Sequence, residues 1–345
     1  TFPGSKAFKL YDTYGFPLDL TQDILRSKNI EVDIKGFNQS LEDQKSLARS
    51  SWSGSGDKST EKIWFNLSNK INKTEFIGYE NNVSQAEVLS IISNSVEVDQ
   101  ISKNQQGCII LNQSVFYAES GGQIGDVGNI RCGDSNFKVT DTQKKENLII
   151  HYGIVSDGVF KIADVVELEI DVNRRSSCRS YHSATHILHQ ALRDTLGDHV
   201  TQKGSLVSYD RLRFDFSHHK GLSEDEIKNI EGIVNNIINS NLNVETKLMK
   251  SEDAINLGAL ALFGEKYDDE VRVLSIGANN SASYSLELCG GTHVEKTSEI
   301  GNFKIISESS AASGIRRIEA LRGNDLISYN ETRSKQIEND LEKNK

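Results

Sequence analysis

The segment SYHSATHILHQALRDTLG, residues 180–197, decides how the second half of the chain folds. Its apolar residues recur every three or four positions and Gly197 follows the last of them, a pattern that predicts a helix with a glycine stop. The same spacing places His182 and His186 one turn apart on one face of that helix. Two imidazoles in this arrangement are typical of one half of a metal site.

A second pair of candidate ligands lies about a hundred residues later, in LELCGGTHVE, residues 286–295. Cys289 and His293 flank two glycines, which permit a tight turn. Three imidazoles and one thiolate make a tetrahedral set that suits Zn²⁺, whose borderline softness accepts both kinds of donor. Four protein ligands are typical of a structural zinc and an open position of a catalytic one, so the ligand count leaves both roles open.

The remaining histidines of this half have weaker interpretations. His189 follows His186 by three positions on nearly the same helix face, so it is a rival ligand, although a supporting position behind the ligands or a place on the surface is preferred. His218 and His219 are adjacent in the sequence, point in different directions and are predicted to be solvated.

Ahead of the helix, short β-branched runs separated by turn residues fill residues 85–171 and predict a small β-barrel. The segment SGGQIGDVG at 120–128 interrupts these runs and lacks the lysine of a phosphate-binding loop, so its glycines turn a barrel corner or border a site. After the helix, strands and helices alternate without a parallel βαβ series. The predicted fold class is therefore α+β, with a barrel followed by a two-layer sandwich.

The two ends of the chain are predicted to be helical. Helical spacing begins just after Pro17, and the polar stretch 324–345 favours the first turns of a longer helix. Between the N-terminal helices, ARSSWSGSGDKSTEK at 48–62 has too little apolar content to bury and is interpreted as a mobile loop. We expect four regions: a helical segment at 1–84, the barrel at 85–172, a zinc-containing α+β domain at 173–323, and the helix start at 324–345.

Composition limits the class of protein. The 345 residues contain 39 basic and 49 acidic side chains, so the formal charge of −10 argues against a surface that coats nucleic acid. Residues 174–220 nevertheless hold eight Lys/Arg against four Asp, a local balance of +4 that is compatible with an RNA partner. No apolar run approaches the roughly 18 residues of a membrane helix, which excludes a membrane partner.

The cysteines and the N-terminus indicate a cytoplasmic setting. Four scattered cysteines are too few for a disulfide framework and fit a reducing cytoplasm. The chain opens on Thr1, its only methionine is Met249, and it shows no secretory signal, so we expect a piece of a longer protein.

Seven phrases occur in the order LYDTYGFPLDLT, ESGGQIGDVG, HSATH, TQKGSLV, RLRFDFSH, CGGTH and SGIRRIEA. Together they closely resemble the alanyl-tRNA synthetase family, and the match runs from about residue 6 to residue 323. The resemblance implies that the first 80 or so residues are the helical end of the tRNA-recognition region and that residues 85–323 are the editing domain. We expect the ATP-dependent synthetase core and the C-terminal domain to lie outside this chain.

The resemblance also implies an activity, the hydrolysis of tRNA(Ala) that carries serine or glycine in place of alanine. A second, hydrolytic site is physically needed, because one hydroxyl or methyl group changes binding by only about 1–3 kcal/mol. The metal would be Zn²⁺ on His182, His186, Cys289 and His293. The predicted catalytic residues are Gln202 and Cys289, with Gly121 and Gly122 bordering the pocket. The predicted contacts to the acceptor end of the tRNA are Arg174, Arg175, Lys203, Arg316 and Arg317.

Several alternatives stay open at this stage. Zinc could polarise the ester and position the water, or the terminal ribose hydroxyl could help activate that water while zinc orders the pocket. Cys289 could act as a nucleophile, although a zinc-bound thiolate is less available. Arg316 and Arg317 could contact RNA or lie on a solvated strand edge.

Other classes of protein also fit part of the pattern. The chain could be a catalytically silent tRNA-binding module with a structural zinc. Free-standing alanyl editing proteins and the editing domain of threonyl-tRNA synthetase share the His/Cys arrangement. The phrase LYDTYGFPLDLT argues against both of these.

Overall fold

The fold is known from a computed structural model that describes residues 1–14, 18–26, 28, 30–41, 57–260, 269–277 and 283–343. The chain divides into two compact units, Thr1–Lys62 and Ile63–Lys345. The boundaries of the four regions expected from the sequence remain a prediction.

The first unit contains short helices. They are α1 (Gly4–Tyr14), α2 (Leu18–Arg26) and α3 (residues 34–41). The helix expected after Pro17 is therefore confirmed. Phe37 of α3 is buried and meets the rings of Phe8 and Tyr11 edge-on, each at 5.8 Å between centroids, which packs α1 against α3.

The prediction of a loop at 48–62 was wrong for its last six residues, because they belong to helix α4 (Asp57–Lys70). Residues 42–56 lie outside the described residues, but the last part of the expected loop, residues 57–62, is helical. The apolar residues that follow explain the difference, because Trp64 and Leu67 bury themselves in a cluster with Ile110 and Ile150. A helix whose far end is anchored in this way extends back into a polar start.

The predicted barrel is confirmed. Six antiparallel strands follow one another in the order β11-β7-β8-β9-β5-β2, and β11 pairs with β2 to close the ring. Its interior is a cluster of buried side chains that includes Val88, Ile109, Phe137 and Leu168. The strands up to this point are β1 (Glu75–Phe76), β2 (Val83–Ser93), β3 (Val96–Val98), β4 (Gln100–Ser102), β5 (Gln106–Leu111), β6 (Gln113–Ser114), β7 (Gly128–Cys132), β8 (Ser135–Lys145), β9 (Leu148–Asp157), β10 (Val159–Lys161) and β11 (Val165–Ile170).

The expected mixture of helices and antiparallel sheets after the barrel is also present. Four strands pair in the order β12-β13-β18-β17, and three more in the order β14-β15-β16. Tyr181 and Leu188 of the first helix share one core with Phe214 of β13 and Val234 of the second helix. The elements are α5 (Val172–Leu196), β12 (Gln202–Val207), β13 (Leu212–Ser217), α6 (Glu224–Asn239), β14 (Val244–Lys250), α7 (Ser251–Asn256), β15 (Glu270–Ile276), β16 (Ser285–Leu288), a 3₁₀ turn (Thr297–Ile300), β17 (Phe303–Ala312), β18 (Ile315–Arg322) and α8 (Gly323–Lys343).

A buried ion pair joins α5 to the barrel segment that precedes β7. The guanidinium of Arg175 is only 1% exposed, and it donates to the carboxylate of Asp126 and to the backbone oxygens of Gly78 and Val115. Tyr117 also donates its backbone N–H to Asp126, at 2.7 Å. A buried charge needs such a complete set of partners, so this pair fixes α5 against the barrel.

Helix α8 agrees with the helix expected at the end of the chain. Across the described ranges, every helix is too short or too polar to cross a membrane.

Candidate metal centre and adjoining cavity

Helix α5 presents two histidines side by side. Asp171 begins the helix by accepting the backbone N–H of Arg174 at 3.0 Å, and most of the following residues are buried. The rings of His182 and His186 stack at 5.2 Å between centroids with 16° between their planes. The helical spacing read from the sequence thus places both imidazoles on one buried face.

The turn that follows strand β16 carries the other two candidate ligands. Cys289 Sγ lies 3.4 Å from His182 Nε2 and 3.3 Å from His293 Nε2. One donor atom from each of these three residues and from His186 lies within 4.8 Å of the others. The four predicted ligands therefore form one cluster.

The two glycines after Cys289 have different roles. A Cβ at Gly291 would lie 2.0 Å from Cε1 of His182, whereas a Cβ at Gly290 would have no neighbour within 4 Å. The backbone N–H of Gly291 also donates to Cys289 Sγ at 3.4 Å. Close approach of the backbone to the cluster is the physical reason for glycine at 291.

The turn that carries Cys289 is also held by Tyr79 and Arg272. Tyr79 donates its hydroxyl to the backbone oxygen of Gly290 at 2.7 Å, and the guanidinium of Arg272 lies 3.4 Å from the centroid of the Tyr79 ring. The backbone N–H of Cys289 donates to the backbone oxygen of Arg272 at 3.0 Å. These contacts fix the position of the thiol.

Each histidine of the cluster is held through its Nδ1 atom. The partners are Gln123 Oε1 for His182 at 2.8 Å, Glu287 Oε2 for His186 at 3.0 Å, and Ser183 Oγ for His293 at 3.3 Å. Partners of this kind fix the tautomer and leave Nε2 of each ring for a metal.

Sequence reasoning missed these three supporting residues. Gln123 belongs to the glycine-rich segment, Ser183 follows His182 directly, and Glu287 precedes Cys289 by two positions. Their nearness to a motif was the available signal. Gln123 is also tied to the turn after Cys289, because it donates to the hydroxyl of Thr292 at 2.9 Å and accepts the backbone N–H of Thr292 at 3.0 Å.

The donor set fits a zinc ion. The Nε2 atom of His186 is buried and has no hydrogen-bond partner among the described residues, as expected of an atom that is placed to bind a metal. Burial would raise the pKa of the Cys289 thiol, but the imidazoles of His182, His293 and His186 lower it well below its usual value. The thiolate that a metal requires is therefore favoured.

His189 is not part of the four-residue cluster. Its Nδ1 atom lies 3.3 Å from Glu287 Oε2, the oxygen that also holds His186. Its Nε2 atom is buried without a hydrogen-bond partner among the described residues, and the residue lines a cavity beside the cluster. Of the two roles expected for His189, the structure therefore favours the supporting position behind the ligands over a place on the surface.

The cavity has a volume of about 400 Å³. Its walls include His182, His186 and Cys289, together with the predicted pocket residues Gln202 and Gly121. The space is large enough for a small polar group and its attachment, and the cluster lies at its wall.

Gly122, the other predicted glycine, closes the packing behind this cavity. It has φ +83°, and a Cβ there would lie 2.7 Å from the backbone oxygen of Ser205. Its own backbone oxygen accepts the N–H of Val207 at 2.7 Å. The glycine-rich segment therefore both turns the barrel loop and borders the cavity.

Three of the five residues predicted to contact RNA are paired with carboxylates of the chain itself. Arg175 cannot contact RNA, because its guanidinium is buried against Asp126. Arg316 is paired with Glu308 and Arg317 with Asp215.

Two other predicted contacts remain on or near the surface. Arg174 is half-buried, with its guanidinium 4.6 Å from the ring centroid of Tyr209, and Lys203 is exposed. Lys144, which the sequence analysis missed, is exposed at the cavity wall. Lys144 lies on a barrel strand far from the basic segment, so no local charge excess marked it.

Comparison with known proteins defines the class. Residues 1–174 match the family model of tRNA synthetases class II (A), and residues 271–319 match the second additional domain of threonyl and alanyl tRNA synthetases. The chain is thus a class II aminoacyl-tRNA synthetase sequence, and the second match contains both Cys289 and His293.

The curated relatives narrow this class. The chain is 52% identical to alanine–tRNA ligase of Parvibaculum lavamentivorans over 94% of its length, and 51% identical over 93% to the ligases of Rhodopseudomonas palustris and Nitrobacter winogradskyi. It belongs to the alanyl-tRNA synthetase family. The chain spans 37% of the length of these relatives.

Proposed function

We propose that this chain hydrolyses the ester bond of tRNA(Ala) that carries serine or glycine in place of alanine. The observation that carries the proposal is that His182, His186, Cys289 and His293 form one cluster and that the first three of them line a cavity which Gln202 also lines. Membership of the synthetase family supports tRNA as the partner. The metal is proposed to be Zn²⁺, which the donor set suits.

Discrimination against alanine is assigned to hydrogen-bonding groups in the cavity. The side-chain amide of Gln202 lines it, makes no hydrogen bond to the described part of the chain, and can both donate and accept. A serine hydroxyl that pairs with this amide is favoured, whereas an alanine methyl leaves the amide unpaired, which costs about 1–3 kcal/mol. Glycine lacks the methyl group as well as the hydroxyl, so a water can occupy the space of the serine hydroxyl and pair with the amide.

The chemistry needs an attacking water and an electrophilic ester carbonyl. Zn²⁺ would be held by His182, His186, Cys289 and His293, and it would supply a Lewis acid to the ester if it expanded to five-coordinate or released one ligand. Oε2 of Glu287 lies 3.3 Å from Nδ1 of His189 and holds this ring at the cavity, beside the proposed metal. The water oxygen forms a bond to the carbonyl carbon, the bond from that carbon to the ribose oxygen breaks, and the ribose oxygen leaves with a proton that came from the water. No covalent intermediate on Cys289 is required. Lys144 and Lys203 attract the phosphates of the acceptor end.

A second candidate is a tRNA-binding module without catalysis, in which the zinc only holds the fold. The observation that favours it is the ligand count, because four protein donors close a tetrahedral site. In that case the cavity residues Gln202 and His189 have no chemical task.

The deciding experiment measures release of labelled serine from serine-charged tRNA(Ala), with alanine-charged tRNA(Ala) in parallel. We expect the zinc-loaded chain to release serine and spare alanine, and chelation of zinc to abolish the release. Gln202→Ala should release more alanine relative to serine, while its zinc content and thermal unfolding stay unchanged. If a folded, zinc-loaded chain releases no serine but still binds the tRNA, the binding module is the better description.

A further inference from the structure

Three histidines meet outside the cavity, where the loop after α5 approaches the end of β13. One ring nitrogen from each of His199, His218 and His219 lies within 4.8 Å of the other two. His199 Nε2 and His218 Nδ1 are 2.9 Å apart. The expectation that His218 is solvated was wrong, because its side chain follows the buried face of β13 and is only 4% exposed.

The loop and the strand that carry these histidines are joined by Ser217. Its hydroxyl donates to the backbone oxygen of His199 at 2.7 Å and accepts the backbone N–H of Thr201 at 2.9 Å. The backbone N–H of His218 donates to the backbone oxygen of Gly314 at 3.0 Å, which fixes the strand from its other side. These hydrogen bonds fix the loop against the strand, and the fold therefore brings the imidazoles together.

A single hydrogen bond joins two of these rings. Only one proton can be shared between His199 Nε2 and His218 Nδ1, so a metal ion in place of that proton would be bound by both nitrogens. A neutral imidazole is the form that binds a metal.

The charged groups around the histidines are already paired. Lys220 Nζ contacts Glu226 at 3.2 Å, and Glu226 accepts the backbone N–H of Ser223 at 2.8 Å as part of the cap of α6. Glu226 is therefore not free to bind a metal here, and the three histidines offer nitrogen donors alone. Nitrogen donors suit zinc, nickel, copper or cobalt better than magnesium or calcium.

We propose that His199, His218 and His219 form a second metal site, which takes a divalent transition-metal ion through three imidazole nitrogens. Two nitrogens on a tetrahedral ion at bond lengths of 2.0–2.1 Å lie roughly 3.4 Å apart, close to the 2.9 Å between His199 and His218. His219 is exposed, so its ring can turn to complete the set.

Metal in this second site would tie the loop at 197–201 to β13. Gln202 follows this loop and pairs with Phe216, two residues before His218. The ion would therefore restrain the strand end that carries the predicted pocket amide, without itself entering the cavity.

The test is a cobalt titration of the full chain after removal of bound metal. We expect two cobalt ions per chain, of which only one produces thiolate-to-cobalt charge transfer, because the second site lacks sulfur. His199→Ala and His219→Ala alter exposed side chains, and each should weaken the second ion at least about tenfold while the charge-transfer band is unchanged. Lys220→Ala is the matched control and should retain both ions.

The proposal would be overturned if the only cobalt ion bound per chain were the one that produces the charge-transfer band, or if neither histidine variant changed the affinity of the ion without that band. The two sites are read separately in this experiment. Absence of the charge-transfer band would count against the metal centre of the proposed function, whereas the number of nitrogen-bound ions alone decides the second site.

Discussion

At the scale of single residues, the metal centre depends on the absence of a side chain at Gly291. Gly291→Ala would put a methyl group 2.0 Å from the His182 ring, so the ring must move away from Cys289 Sγ. We expect zinc affinity to fall by about 10–100-fold, the range found when the support of a ligand is lost, and serine release to fall with it. Zinc competition with a chromophoric chelator measures the change.

The matched control for Gly291→Ala is its neighbour. Gly290→Ala adds the same methyl group to the same turn, but no atom lies within 4 Å of the new Cβ. Zinc affinity should therefore stay within about twofold of the parent chain. Equal losses in the two variants would show that the turn needs backbone freedom at both glycines and that contact with His182 is not the cause.

Glu287 is the second residue whose removal should be felt at the metal. One carboxylate oxygen holds the Nδ1 atoms of His186 and His189 at 3.0 and 3.3 Å. Burial would raise the pKa of Glu287, but the two histidines lower it, so the carboxylate is charged and binds their protons firmly. Glu287→Gln should weaken zinc binding by about 10–100-fold, measured by isothermal titration.

A second carboxylate provides the comparison for Glu287. Glu308 is also largely buried and paired, with the guanidinium of Arg316 at 2.5 and 2.7 Å, yet it touches no residue of the cluster. Glu308→Gln removes the same charge and should leave zinc affinity unchanged. If both variants bind zinc like the parent chain, Glu287 does not position His186.

At the scale of secondary-structure elements, periodicity predicted most of the fold. The expected helix at 180–196 is the C-terminal part of α5, and the expected short strands 85–171 close into the barrel. The error at residues 57–62 has a tertiary cause, since Trp64 and Leu67 of α4 are buried by strands far ahead in the sequence. Local composition contains no information about that burial.

The same limit explains which parts of the site could be predicted. His182, His186, Cys289 and His293 carry their signal in spacing that a helix or a tight turn makes meaningful. Gln123 lies 59 positions before His182, and its role follows only from the way the barrel meets α5. Arg175 failed as an RNA contact for a similar reason, because a basic segment does not reveal which of its arginines is buried.

At the scale of the whole molecule, the barrel and the metal centre should respond together to one buried ion pair. Asp126 pairs with Arg175 of α5 and lies three residues after Gln123, which holds His182. Asp126→Ala leaves the Arg175 charge buried without its carboxylate, a loss of about 3–5 kcal/mol in the free energy of unfolding. We expect zinc affinity to fall as well, because the segment that carries Gln123 loses its anchor.

An exposed ion pair of the same barrel provides the control, because its loss removes a charge without affecting the segment that carries Gln123. Lys103 and Asp157 pair at 2.6 Å with both side chains 59% exposed, so Asp157→Ala should change the free energy of unfolding by less than about 1 kcal/mol and leave zinc binding intact. Urea unfolding and zinc titration of the two variants, each at a temperature where the folded state predominates, test the prediction. If Asp126→Ala is destabilised yet binds zinc like the parent chain, then Thr292 alone suffices to hold Gln123, and the barrel contributes stability without positioning the site.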